Sequence, residues 1–161
     1  IRDRYRLSTQ IEDQSRAFLQ GLTELINPRW LRLFNTEELR VLVTGADTPI
    51  DVEDLRRNTV YGGYHEKDMA VQYFWEALSS LDQASLKAFL RFVTSSPNPP
   101  LLGFSELNPK FAIRHAGDDI TRLPTASTCV NLLKLPAYNS TAQCLEKVKY
   151  AIYSGAGFDL S

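Results

Sequence analysis

The hydrophobic positions of the first part of the chain recur at helical spacing. A helix is predicted from about residue 9 to residue 26, because Thr9 and Glu12 have the spacing of a capping box and apolar residues then repeat on one face. Asn27 and Pro28 end this helix and start a short turn that reaches residue 34. The apolar positions of the face are Ile11, Phe18, Leu22 and Leu25.

Further helices are predicted up to residue 94, from a start signal, an apolar face or both. Gly45 ends the first of them, the second ends near Asn58, and two longer helices follow. A break at residues 61–64 separates the helix that ends near Asn58 from the two longer helices; it contains two glycines and needs unusual backbone angles. We see no strand pattern before residue 95. The start signals are Asn35 with Glu38, Asp51 with Asp54, and Asp82; the longer faces are Ala70, Phe74, Ala77 and Leu78, then Leu86, Phe89, Leu90 and Val93.

The pattern changes at residues 95–100, where two serines and three prolines stand among six residues. Such a run cannot continue a helix, so it predicts a linker. The elements after it are short and mixed. Phe111 and Ile113 alternate with polar or small residues as in a half-buried strand, and the apolar run 132–135 predicts a second strand. Ser140 is placed to cap a last helix that ends near Ser154. The fold class expected is therefore α+β.

Composition narrows the function classes. The net charge is −1 and the charged fraction is 23%, so nothing marks a nucleic-acid-binding or membrane-surface protein. Two cysteines in 161 residues fit a reduced compartment, and we expect a cytoplasmic or nuclear location. The chain opens at Ile1 without methionine, so we expect a fragment of a longer protein.

Cys129 is the first candidate for chemistry. It follows a proline and several small or hydroxylated residues and stands directly before an apolar run, which is the layout of a loop that presents a thiol at the mouth of a strand. Ser127 and Thr128 offer hydroxyl groups that could stabilise a thiolate. Taken alone, the residues leave an inert buried thiol equally open. Cys144 lies on the apolar face of the last helix, where a core role is expected.

The histidines and the remaining motifs point to no cofactor. His115 shares a strand face with Phe111 and Ile113 and is predicted to be half-buried, while His65 is expected in a solvated loop. Two histidines and two separated cysteines do not provide the ligand cluster of a zinc site, so we expect no metal. Residues 73–75 are three aromatic side chains in a row, which are expected to pack largely in the core.

A resemblance sharpens this interpretation. Arg122 to Cys129, followed by Asn131 and Leu135-Pro136, resembles the catalytic loop of HECT-type ubiquitin ligases. Further landmarks of that family are spread over the whole chain. Many members carry histidine where this chain has Ser127, so a histidine base next to the cysteine is excluded here. The details around Cys129 and the ending look most like the proteasome-associated, chain-extending branch. The other landmarks are 34–39, Gly45, 61–64, 74–75, 89–94, 100–104 and 157–158.

The resemblance implies a domain organisation and an activity. It makes residues 1–94 the C-terminal half of a helical N-lobe, 95–98 an interlobe hinge, and 99–161 a small α/β C-lobe. Cys129 would accept ubiquitin from a conjugating enzyme as a thioester and pass it to a substrate lysine. The implied partners are ubiquitin, a ubiquitin-conjugating enzyme, protein substrates and the proteasome. Whether a fragment with a truncated N-lobe is active by itself stays open.

The resemblance also implies site residues. Thr128 would orient the thiol or the thioester carbonyl, Asp159 would assist loss of the lysine proton, and Phe158 would anchor the tail against the N-lobe. Leu123 and Tyr150 are expected to contact ubiquitin. Two other functions stay open: a non-catalytic ubiquitin- or proteasome-binding module whose thiol is incidental, and a cysteine hydrolase that uses His115 as its base.

Overall fold

The computed structural model describes residues 11–45 and 47–154. The chain divides into two compact units, Ile1–Val43 and Thr44–Ser161. The first unit contains α1 (Glu12–Leu25), α2 (Pro28–Leu31) and most of α3 (Thr36–Thr44). No residue of these three helices is buried.

Local signals act as predicted in α3. The Asn35 side chain accepts a hydrogen bond from the Glu38 amide at 2.9 Å, and the Glu38 carboxylate accepts one from the Asn35 amide at 2.7 Å. This reciprocal pair is a capping box, which satisfies two amides that a helix start leaves without partners. Gly45 then ends the helix with a φ of +80°. The corresponding prediction for α1 depends on Thr9, which lies outside the described residues.

The second unit alternates helices and short strands. Asp51 caps α4 by accepting bonds from the amides of Glu53 and Asp54, and Asp82 caps α6 by accepting one from Ser85. Both caps follow the prediction. Ser95 ends α6 in the left-handed conformation, at the start of the predicted linker. The elements are α4 (Val52–Arg57), β1 (Val60–Gly62), α5 (Met69–Ser79), α6 (Gln83–Thr94), a 3-10 helix (Phe104–Glu106), β2 (Ala112–His115), β3 (Thr125–Ser127), a 3-10 turn (Thr128–Val130), β4 (Leu132–Leu135) and α7 (Thr141–Ser154).

The strands form one sheet in the order β1-β2-β4-β3. The first three are parallel, and β3 runs antiparallel to β4 at the edge. The expectation of no strand before residue 95 is wrong, because Val60–Gly62 pairs with the start of β2. Three residues of backbone pairing leave no periodic pattern in the sequence, so β1 is invisible until β2 is beside it. The short strand β3 was likewise expected as loop.

One hydrophobic core holds the second unit together. Phe74 and Trp75 on α5 are buried, so the predicted core role of the aromatic run is confirmed for both. The rings of Phe89 on α6 and Phe111 pack edge to face with 6.0 Å between their centroids. This contact joins the helical layer to the sheet. Cys144 on α7 has no solvent exposure.

This core includes residues from both sides of the segment 95–98. Phe89 lies before the segment and Phe111 after it, and the two rings are in contact. The assignment of 1–94, 95–98 and 99–161 to an N-lobe, a hinge and a C-lobe stays a prediction. The compact units themselves divide elsewhere, between Val43 and Thr44.

The fold is α+β, as predicted. Across the part of the chain that the structure describes, no helix has the length and hydropathy that a membrane crossing requires.

Candidate active site

Cys129 is the exposed centre of a short turn between two strands. The 3-10 turn Thr128–Val130, which we call the cysteine turn, follows β3 and precedes β4. β3 and β4 are antiparallel neighbours, so the cysteine turn is the connection of a hairpin at the edge of the sheet. The predicted presentation of the thiol at the mouth of a strand is what the structure shows, with Cys129 exposed.

The cysteine turn rests on the helical layer. Helix α6 packs against both β3 and the cysteine turn. Within β3 the side chains alternate, with Ala126 buried and its neighbours Thr125 and Ser127 half-buried. The small side chain of Ala126 lets the edge strand lie close to the core, while the thiol beyond it stays in solvent. Thr128, directly before Cys129, is half-buried.

The second thiol lies in a different environment. Cys144 faces the core from α7, and desolvation by that burial raises its pKa to about 12. A thiol that keeps its proton at neutral pH and lies out of solvent is neither nucleophilic nor accessible. The prediction of a core role for Cys144 is confirmed.

His115 lies at the opposite end of the sheet from Cys129. In the parallel pair, Ala112 faces Leu132 and His115 faces Leu135, while Cys129 precedes Leu132. Three residues of strand therefore separate the two levels, roughly 10 Å. A base must be within hydrogen-bonding reach of the group it deprotonates. The sheet thus holds His115 away from the cysteine turn.

His115 also has partners at its own end of the sheet. Its Nε2 lies 3.3 Å from a carboxylate oxygen of Asp118, and its Nδ1 accepts a hydrogen bond from the Gly117 amide at 3.3 Å. The Tyr64 ring packs edge to face against it at 4.8 Å. The half-buried histidine expected from the strand pattern is confirmed. His65 is exposed, as expected.

Leu123 lies in the loop that precedes β3, and Tyr150 lies on α7. Lys147 on α7 donates a hydrogen bond to the Thr121 carbonyl at 3.3 Å, which joins α7 to the loop that contains Leu123. Tyr150 is three residues after Lys147, so it projects from the same side of the helix. Leu123 is half-buried and Tyr150 is 59% exposed. The loop that carries Leu123 and the helix that carries Tyr150 are therefore joined close to both residues.

The part of this loop next to Leu123 is fixed from within the core. The buried Tyr138 side chain donates a hydrogen bond to the Arg122 carbonyl at 2.7 Å. Desolvation raises the pKa of Tyr138, so the phenol stays a donor over the whole ordinary pH range. No sequence motif marks Tyr138, because its partner is a backbone carbonyl.

Two predicted site residues, Phe158 and Asp159, lie outside the described residues. Within 11–45 and 47–154, no group of three or more histidine, cysteine or acidic side chains is arranged to hold a metal ion.

The chain matches a family of known proteins over nearly its whole length. The model of the HECT-domain (ubiquitin-transferase) family matches residues 3–161. A probable E3 ubiquitin protein ligase of Schizosaccharomyces pombe is 48% identical over 158 residues, and the E3 ubiquitin-protein ligase HUL5 of Saccharomyces cerevisiae is 50% identical over 157 residues. The human ubiquitin-protein ligase E3B is 40% identical over 183 aligned residues.

These alignments cover 98% of this chain but only 15%, 17% and 17% of the three proteins, respectively. The chain thus spans about a sixth of the length of the curated relatives it matches.

Proposed function

The chain belongs to the HECT-domain (ubiquitin-transferase) family, and on that premise we propose that it is the catalytic part of a ubiquitin-protein ligase. In this proposal Cys129 carries ubiquitin as a thioester between a conjugating enzyme and a substrate lysine. The observation that supports it most directly is the contrast between the two thiols, one exposed on the cysteine turn and one buried in the core.

Both proposed steps are acyl transfers. In the first, the Cys129 thiolate attacks the thioester carbonyl of ubiquitin, a new carbon–sulfur bond forms, and the thiolate of the conjugating enzyme leaves. In the second, a lysine amine attacks the same carbonyl, a carbon–nitrogen bond forms, and the Cys129 thiolate leaves. Exchange between thioesters is nearly thermoneutral, so the protein contributes mainly position and orientation.

Thr128 and Asp159 would assist at different steps. Thr128 is adjacent to Cys129 and half-buried, which suits a residue that orients the thiol or the thioester carbonyl. The attacking lysine must lose a proton, and Asp159 is the proposed acceptor. Phe158 would anchor the tail that carries Asp159 against the N-lobe.

Leu123 and Tyr150 would contact the donor ubiquitin. The hydrogen bond from Lys147 to the Thr121 carbonyl, which joins α7 to the loop, supports one shared contact surface. The other proposed partners are a ubiquitin-conjugating enzyme, protein substrates and the proteasome, in the cytoplasm or the nucleus.

The test is the formation of a reducible ubiquitin adduct. The chain is incubated with ubiquitin activated as a thioester of a small thiol, which removes the need for a conjugating enzyme. We expect the unsubstituted chain and the Cys144→Ala variant to form an adduct that reducing agent removes, and Cys129→Ala to form none. Gel electrophoresis with and without reducing agent measures this. A reducible adduct on Cys129→Ala would contradict the assignment.

The same experiment separates the two rival functions. A binding module would associate with ubiquitin but form no adduct on any variant. A hydrolase would release ubiquitin to water, and His115→Ala would abolish the release. The separation of His115 from Cys129 along the sheet argues against this second rival.

A further inference from the structure

Asn131 follows the cysteine turn in an unusual conformation. Its φ of 50° and ψ of 42° place it in the left-handed region, which asparagine enters more readily than most residues. It is also only 7% exposed. Among the described residues, Asn131 and Ser85 are the two buried polar ones. A buried amide side chain is costly unless it is hydrogen-bonded.

Three hydrogen bonds of Asn131 link the cysteine turn to residues 109–112. Its side-chain Nδ2 donates to the Pro109 carbonyl at 2.6 Å. Its backbone amide donates to the Thr128 carbonyl at 3.3 Å, and its backbone carbonyl accepts from the Ala112 amide at 3.0 Å. The residue therefore ties the cysteine turn to the segment that leads into β2.

This anchoring bears on the thiol because Cys129 itself is exposed. Core packing cannot fix an exposed side chain, so the direction of the thiol depends on the backbone of the cysteine turn. Thr128 and Asn131, which flank Cys129, are joined by a backbone hydrogen bond, and Asn131 is held from outside by Pro109. Displacing a reacting group by about 1 Å can cost roughly a hundredfold in rate.

We propose that Asn131 is a positioning residue, which holds the cysteine turn so that the Cys129 thiol meets the thioester carbonyl. The proposal rests on the function proposed above for Cys129. Asn131 does not touch the reacting atoms in this scheme; it acts through the backbone of the cysteine turn.

Two substitutions separate the anchor from the backbone conformation. Asn131→Gly accepts the left-handed conformation without strain but removes the amide that binds Pro109. Asn131→Asp keeps the size of the side chain but places a carboxylate against the Pro109 carbonyl. Asn58→Gly is the matched control, since the Asn58 amide also donates to a backbone carbonyl, that of Asp54 at 2.9 Å, at the end of α4.

The readout is single-turnover formation of the Cys129 adduct from the small-thiol thioester of ubiquitin, measured over a range of ubiquitin concentrations. We expect both Asn131 variants to lower the rate at saturation by about tenfold or more, with the half-saturating concentration changed by less than about twofold. Alkylation of Cys129 by iodoacetamide, which needs no defined orientation, should stay within about twofold of the unsubstituted chain. Asn58→Gly should match the unsubstituted chain in the rate at saturation, the half-saturating concentration and the alkylation rate.

A saturating rate for Asn131→Gly equal to that of the unsubstituted chain would overturn the positioning role. So would a loss that Asn58→Gly shares, which would indicate general loosening of the fold, or a loss that alkylation follows in proportion, which would indicate a less reactive thiol rather than a misplaced one. Absence of any adduct in the unsubstituted chain would overturn the function proposed for Cys129 together with this role. The two failures are therefore distinguishable.

Discussion

At the scale of single residues, the environment of each cysteine determines its chemistry. Cys129 and Cys144 are the same residue type, fifteen positions apart, and only Cys129 reaches solvent. The helical pattern around Cys144 already placed it on a buried face, because a periodic apolar face must pack against something. The exposure of Cys129 depends on a hairpin connection, which sequence could indicate only through the small and hydroxylated residues before it.

The buried thiol predicts a pH dependence of stability. The Cys144 pKa rises from its ordinary 9.0 to about 12 in the folded chain. Its contribution to stability is therefore fully present below pH 9 and is lost as the pH rises toward 12, by about 1 kcal/mol per pH unit. Burial also raises the pKa of Tyr64 and Tyr138, and these phenols act in the same direction above pH 10.

At pH 8, Cys144→Ala should unfold at a lower temperature than the unsubstituted chain, because the substitution leaves a small cavity. Between pH 8 and pH 10, however, its midpoint temperature of unfolding should fall by less than that of the unsubstituted chain, because the thiol is absent. Thermal unfolding followed by circular dichroism at both pH values measures the difference. An equal fall in midpoint temperature between pH 8 and pH 10 for the two proteins would show that Cys144 does not contribute to the pH dependence of stability.

At the scale of elements, the helix starts and the strands β2 and β4 were predictable, and the three-residue strands β1 and β3 were not. Asn35, Asp51 and Asp82 cap their helices as expected, because a cap is a local interaction between a side chain and amides two or three residues away. β1 and β3 have three residues each and exist through pairing with β2 and β4. The partner of β1 is distant in sequence, and three residues are too few in either strand to leave a periodic pattern.

The adjacent glycines at the end of β1, Gly62 within it and Gly63 directly after it, provide a test at this scale. Gly63 has a φ of +71°, and a Cβ there would lie 3.2 Å from the Cβ of His115. Gly62 has ordinary backbone angles, and its Cβ would meet only the Arg114 side chain at 3.8 Å. Gly63→Ala should destabilise the chain by about 1 kcal/mol or more, because both the conformation and the space disfavour it.

Gly62→Ala is the matched control and should be neutral or slightly stabilising, since alanine loses less entropy on folding than glycine. Urea unfolding of the two variants beside the unsubstituted chain measures both effects. Equal destabilisation by the two substitutions would contradict the role assigned to the left-handed turn at Gly63.

At the scale of the whole molecule, the proposed reaction has two steps that different parts of the chain serve. Deleting residues 158–161 should leave thioester formation on Cys129 within about twofold and reduce transfer to lysine by about tenfold or more, because only the second step needs a base for the amine. Adduct formation and isopeptide formation are measured separately, by electrophoresis with and without reducing agent.

Asp159→Asn tests the base alone. It should likewise leave thioester formation nearly unchanged and reduce transfer to lysine. Equal loss of both steps would refute the proposed role of the tail.

The sequence by itself determined the family, the α+β class, the capped helices and the identity of the candidate thiol. These follow from local hydrogen bonds, from the spacing of apolar residues and from a motif that is contiguous in the chain. Tertiary structure alone decided that Val60–Gly62 joins the sheet, that His115 lies at the far end from Cys129, and that Asn131 binds Pro109. Each of these depends on which backbone segments lie side by side, and that is settled only when the core closes around them.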